Sequence, residues 1–134
     1  MHELLDIAPC GILLFDDSGK ILKANATLTG WLDYEAHSLE GRNIDTVLSV
    51  ASRVFYNTHF FPLIKLHGRA DEIFLTLVSS SGDKSIPVLA NAVRRTTSSG
   101  VENMVVFMPG PERKKFEDEI LQARRAAESA LAEN

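Results

Sequence analysis

Apolar residues run without interruption from Gly11 to Phe15, stop at the turn cluster Asp16-Asp17-Ser18-Gly19, and resume from Lys20 to Ala24, which predicts a β-hairpin. Both alternating sets of the first strand, Ile12/Leu14 and Leu13/Phe15, are apolar, so both of its faces are expected to be covered. Asn25 then precedes Ala26-Thr27-Leu28-Thr29 and suits the N-cap of a short helix ending at Gly30. Trp31 to Ile44, punctuated by Asp33, Ser38, Gly41 and Asn43, reads as short helical turns. From Asp45 to Phe61 the positions Val47, Val50/Ala51, Val54/Phe55, Thr58 and Phe61 recur at helical spacing, and Pro62 is expected to break or restart this helix before Gly68. Three strands follow as an antiparallel meander: Glu72 to Ser79, Ser85 to Arg95 after the turn Ser80 to Asp83, and Val101 to Met108 after the loop Thr96 to Gly100. Beyond Pro109-Gly110-Pro111 the chain is rich in Ala, Glu, Arg and Lys. There Phe116, Ile120, Ala123, Ala127 and Ala130 are spaced 4, 3, 4, 3, the seam of a two-stranded coiled coil.

Composition narrows the function classes. With 134 residues, 45% hydrophobic and 24% charged, the chain has the balance of one globular unit. A net charge of −4 with scattered basic pairs predicts no nucleic-acid partner. The longest apolar runs are strand-sized, so no membrane contact is expected from this segment. The start Met1-His2-Glu3-Leu4-Leu5-Asp6 lacks a secretory pattern, and Cys10 is the one cysteine; both fit a cytoplasmic location, with Cys10 as a small buried hydrophobe. Histidines 2, 37, 59 and 67 are isolated, and there is no paired acid/base spacing, nucleophile elbow or phosphate loop, so the chain is not expected to be an enzyme.

The ordered set of local motifs resembles the PAS family. It comprises Ile7-Ala8-Pro9-Cys10-Gly11 entering the first strand, Asp16 to Gly19, Asn25-Ala26, Leu39-Glu40-Gly41-Arg42, and Ser81-Gly82-Asp83-Lys84-Ser85-Ile86-Pro87-Val88 before the penultimate strand. Glu112-Arg113-Lys114-Lys115 is similar to the start of that family's output linker. The resemblance implies an α+β fold: a five-stranded antiparallel sheet with helices on one face and a C-terminal signalling helix, with residues 1–111 as the sensory domain and 112–134 as the coiled-coil linker. It also implies a homodimer that passes its state to an output domain of the same polypeptide. The stretch Arg124-Arg125-Ala126-Ala127-Glu128 is similar to linkers leading into histidine kinases, the leading expectation, although diguanylate cyclases and serine phosphatases use similar ones.

A ligand pocket of this family lies between sheet and helices. Its expected lining is Ile12, Leu14, Leu28, Val54, Phe55, His59, Leu63, Phe74, Thr76, Val88, Ala90, Ala92, Val105 and Phe107, with the two alanines leaving volume that the phenylalanines refill. A closed core without ligand is the competing expectation. His59, on the helix and facing the sheet, is the alternative axial ligand of a heme gas or redox sensor. A photoactive flavin adduct is not expected, because Cys10 precedes the first strand rather than standing on a helix. The third alternative is a ligand-free dimerisation module. Its contact is the seam together with Leu13, Phe15, Met104 and Val106 on the outer sheet face, a face that Met1 to Ala8 would otherwise cover.

Overall fold

The computed structural model describes residues 2–109 and 121–127. A first helix α1 (His2–Ile7) leads into strands β1 (Gly11–Phe15) and β2 (Ile21–Ala24), then helix α2 (Ala26–Trp31) and a 3-10 turn (Ile44–Val47). A continuous helical stretch follows, made of α3 (Val50–Phe55), a π segment (Tyr56–Phe60) and α4 (Phe61–His67). Strands β3 (Arg69–Val78), β4 (Ser85–Thr97) and β5 (Gly100–Pro109) complete an antiparallel sheet of order β2-β1-β5-β4-β3. The expected α+β five-stranded fold is observed. The helix at the N-terminus was not expected as an element.

Register sets which side chains face the helices. Leu13 pairs Val105 and Phe15 pairs Asn103, while Ala92 pairs Val105 and Ala90 pairs Phe107. These residues form the inner face, and Leu13, Phe15, Ala90, Val105 and Phe107 are wholly buried in one core with Leu28 and Phe60. The expected parity of β1 is therefore reversed: Leu13 and Phe15 point inward, and Leu14 lies on the outer face beside Met104. In β3 the bulge between Ala70 and Ile73 shifts the alternation by one residue. Ile73, Leu75 and Leu77 consequently pack inward, while Phe74 is 58% exposed and Thr76 sits on the outer side.

The long helix also presents a different face from the one its sequence suggested. Ser52, Tyr56, Phe60 and Ile64 are buried, at steps of four residues. An α-helix at 3.6 residues per turn would rotate such a row out of the core; the π turn, with the Phe61 amide bonded to the Tyr56 carbonyl, absorbs the drift. The same wider turn accommodates Pro62, which has no amide to donate, so the helix runs through it to Gly68. Gly68, at φ 76°, caps it in the left-handed conformation with its amide on the Ile64 carbonyl at 2.8 Å. Val54 and Phe55 therefore lie on the solvent side, 61% and 38% exposed.

The sequence-predicted seam positions Phe116, Ile120 and Ala130 lie outside the described residues, whereas Ala123 and Ala127 fall in the helical stretch 121–127 and are exposed. No helix among the described residues is long and apolar enough to cross a membrane.

Candidate functional site

Asn25 organises the junction of α1, β1 and α2. Its Oδ1 accepts from the Ile12 amide at 2.9 Å and the Leu28 amide at 3.1 Å, and its Nδ2 donates to the carbonyls of Leu5 at 2.7 Å and Cys10 at 2.9 Å. The expected cap is present, and all four polar contacts of a buried amide are used. Asp6 adds a second tie, accepting from the Ala26 amide at 3.1 Å, and Thr27 donates to the Ala8 carbonyl at 2.6 Å. Gly11 lets α2 lie close on β1, since a Cβ there would meet Leu28 at 2.9 Å and Trp31 at 3.0 Å.

These ties hold α1 at the rim of the outer sheet face, over a cavity of about 380 Å³. Its floor is one cross-strand row, Val93–Met104–Leu14–Lys23, joined by Ile12. The walls are Leu5 and Asp6 from α1, Ala24 and Asn25, and the pair Arg95–Glu102, whose Nη2···Oε2 distance is 3.0 Å. The floor is apolar and the edge charged, a combination suited to a small, mainly apolar molecule with a polar end.

The pocket expected between sheet and helices is not assembled from the residues named for it. Leu28, Ala90, Ala92 and Phe107 do come together, but in the closed core, with Val88 and Val105 beside them. Ala90 and Ala92 are 0% and 1% exposed, so the volume they spare is filled. Leu14, Phe74 and Thr76 face the other side of the sheet. Val54, Phe55 and Leu63 face solvent. His59 is exposed as well, its ring stacked on Phe55 at a centroid distance of 5.0 Å and its Nδ1 2.7 Å from the Thr58 hydroxyl. It does not face the sheet, which removes the geometry on which the heme alternative depended. Among the described residues no cluster of three or more His, Cys, Asp or Glu side chains is placed to hold a metal ion.

A second polar cluster closes one end of the inner face. Arg94 on β4 donates from Nη1 and Nη2 to the two carboxylate oxygens of Asp17, each at 2.7 Å, and Asn103 on β5 donates to Asp17 at 3.1 Å and to the Phe15 carbonyl at 3.3 Å. The Arg94 hydrogen bonds hold the Asp17 carboxyl below its ordinary range, against a smaller opposing effect of burial. Nearby, burial pushes the Tyr56 phenol up, and the carboxylates of Asp45, Asp17 and Asp16 add to that shift. Tyr56 is accordingly neutral, packed edge-on against Phe15 at 6.0 Å. Trp31 and Tyr34 are partly buried covers of the core, Arg42 lying 5.7 Å from the Tyr34 ring centre.

Sequence reasoning missed Val93, Arg95, Glu102 and Lys23. The signal was present in the alternation of β4 and β5, where one parity is small or bulky apolar and the other mixes Val93, Arg95, Glu102 and Met104.

No family model matches the chain. Phosphoserine phosphatase RsbP of Bacillus subtilis (strain 168) is 37% identical over 128 residues, which is 96% of this chain and 32% of that protein. The chain thus spans about a third of the length of this curated relative. Among solved structures, the PAS domain of a protein from Colwellia psychrerythraea superposes with a TM-score of 0.71 at 11% identity, covering 80% of this chain and 91% of that one. The PAS domain of an HTR-like protein from Haloarcula marismortui gives 0.69 at 15% identity, covering 81% and 87%.

Proposed function

We propose, from the premise that this chain is a domain of the PAS fold, that it is the sensory and dimer-forming module of a signalling protein whose output is a phosphoserine phosphatase. The observation that carries the sensory part is the outer-face cavity, because it touches both ends of the domain at once. Leu5 and Asp6 belong to α1, and Glu102 and Met104 belong to β5, the strand that precedes the C-terminal segment. A small, mainly apolar ligand on the floor Leu14, Val93 and Met104 alters the seat of α1 and the path of β5 together. A second copy packs on the neighbouring row of the same face, where Phe74 and Met108 flank Leu89 and are 58% and 45% exposed.

The choice of phosphatase over histidine kinase rests on the extent of the likeness to RsbP. A match of 128 of the 134 residues takes in most of segment 112–134, and a coiled-coil linker must suit in phase the domain that it drives. Ligand-induced change then biases the relative register of two exit helices, which the output reads.

The experiment is done on the complete parent polypeptide, scored for release of phosphate from a phosphoserine protein and for ATP-dependent autophosphorylation. Phosphatase activity is expected. It should survive a seven-residue insertion after Pro111, collapse with a four-residue insertion, and lose its regulation when Leu14→Trp fills the cavity. Autophosphorylation would overturn the output assignment; equal activity of the two insertions would overturn transmission through the seam.

A further inference from the structure

The solvent side of the long helical stretch is apolar where a helix closing a core is ordinarily polar. Opposite the buried row Ser52, Tyr56, Phe60 and Ile64 runs the row Val50, Val54, Thr58, Pro62 and Leu66. Val50, Val54 and Leu66 are 73%, 61% and 79% exposed, and along one flank Phe55 and Leu63 stand exposed, with the His59 ring laid flat on Phe55. An exposed apolar strip along a single continuous helix marks a contact surface.

Charge states what the surface fits. In a chain of net charge −4, residues 46–70 contain Arg53, Lys65 and Arg69, together with His59 and His67, and not one Asp or Glu. Arg69 is satisfied by Asp71 at 3.0 Å. Arg53 is anchored by Nε to the carbonyls of Asp45 at 2.9 Å and Leu48 at 3.1 Å, and Lys65 leans over the Phe61 ring at 5.9 Å. Neither is in a salt bridge with a carboxylate among the described residues.

We infer that this helix face is a docking surface for a partner protein presenting an apolar strip edged with carboxylates. Binding buries Val54 and Leu66 and sets acidic side chains against Arg53 and Lys65, which adds selectivity and speed of encounter more than raw affinity. A protein fits better than an anionic bilayer. Lipid-reading segments carry clusters of about four to eight cations and large apolar side chains, whereas this strip has Val and Pro at its middle and only two cations along its edge that form no salt bridge among the described residues. A second copy is the poorer fit on the reading proposed above, which seats the contact between copies on the outer sheet face around Phe74, Leu89 and Met108.

The test uses the whole chain and a synthetic amphipathic helical peptide with leucines at successive third and fourth positions, flanked by Glu, against the same peptide with Lys in place of Glu. Fluorescence anisotropy should show the Glu peptide binding at least about tenfold more tightly. The double variant Val54→Asp/Leu66→Asp should lose it, and Arg53→Glu/Lys65→Glu should favour the Lys peptide. All four positions are exposed, so circular dichroism should show the helices kept; because Arg53→Glu also gives up the Nε bonds to Asp45 and Leu48, Lys65→Glu alone is measured beside the double charge variant and should weaken the Glu peptide in the same direction. Equal binding of the two peptides, or undiminished binding by Val54→Asp/Leu66→Asp, would overturn the proposal. So would adsorption to phosphatidylserine vesicles with no binding of the Glu peptide, which would make the face a lipid site. Conversion of a sedimenting dimer to monomer by Val54→Asp/Leu66→Asp would do the same, since the occupant would then be a second copy.

Discussion

The two faces of the sheet are made from alternate residues of the same strands, yet one is closed and the other open. On the inner face the row Ala92–Val105–Leu13 is flanked by Ala90–Phe107, and small and large side chains interlock beneath Tyr56, Phe60 and Ile64. On the outer face, among the described residues, Val93, Met104 and Leu14 meet the edge of α1, with about 380 Å³ open above them. Close packing and open space are thereby separated by side-chain parity. The packed face fixes the fold, while the open face can gain or lose a neighbour at small cost to the core.

The sharpest way to break this comparison is to remove one ring from each side of the helical layer. Phe60 is 1% exposed and touches the Tyr56 ring at 5.8 Å, so Phe60→Ala should lower unfolding free energy by about 3–5 kcal/mol. Phe55→Ala, at a position 38% exposed, should cost no more than about 1 kcal/mol. Urea denaturation of both variants measures the contrast. Similar losses would mean that the buried row of the helix has been misassigned.

A middle-sized effect belongs to the joint between the two faces. Asn25→Ala strips four hydrogen bonds from the seam of α1, β1 and α2 and leaves the buried Ile12 amide without its acceptor. An N-cap replaced by alanine costs about 1 kcal/mol on average, and an orphaned buried amide adds about 1–3 kcal/mol, so a loss of about 2–3 kcal/mol is expected. Thermal unfolding should also show α1 released first, as faster amide exchange from residues 3–7 than in the native chain. A stability change under about 0.5 kcal/mol would sink the view of Asn25 as the hub.

How much of this was legible in the sequence varies with the local chemistry. Asn25 was readable as a cap because a short polar side chain after a strand has few other uses, but its bonds to Leu5 and Cys10 depend on α1, a six-residue helix with little periodicity of its own. The hairpin was readable from its turn, where Asp16 accepts from Ser18 and Lys20 and Gly19 takes φ 87°. The inward parity of β1 was not readable, because both of its sets are apolar and only pairing with β5 chooses between them. In β3 a bulge moved the alternation. In the long helix the pattern misled outright. Ser52 is polar and buried because its hydroxyl accepts from the Thr76 amide at 2.9 Å on edge strand β3, while Val54 is apolar and exposed. A period of four imposed by a π turn leaves no 3.6-residue signature to find. The candidate pocket inherited these reversals, which is why Ile12, Leu14, Phe74 and Thr76 lie on the outer sheet face and Val54, Phe55, His59 and Leu63 on the solvent side of the helix, eight of the fourteen residues expected.

The smallest expected effect tests whether the closed face is also closed electrostatically at its polar end. Asp17 is held by Arg94, with Asn103 assisting, and its carboxyl sits below the ordinary 3.8. The folded chain therefore binds this proton less readily than the unfolded chain does. That contribution to stability is fully present above the unfolded value and is lost as pH falls through the lower folded value. Asp17→Asn keeps the shape and removes the titration. At about pH 6 the variant should be slightly less stable than the native chain, by an amount limited because the pair is partly solvent-exposed. Only once the pH has fallen below the folded value should the two converge, as the native carboxylate is neutralised and Arg94 loses its partner. Urea midpoints measured across that range, at low and at high salt, give the comparison. A gap between native and variant that stays constant from neutral to acid pH would show that Asp17 acts through shape alone, and that the lock at this end of the inner face owes nothing to its charge.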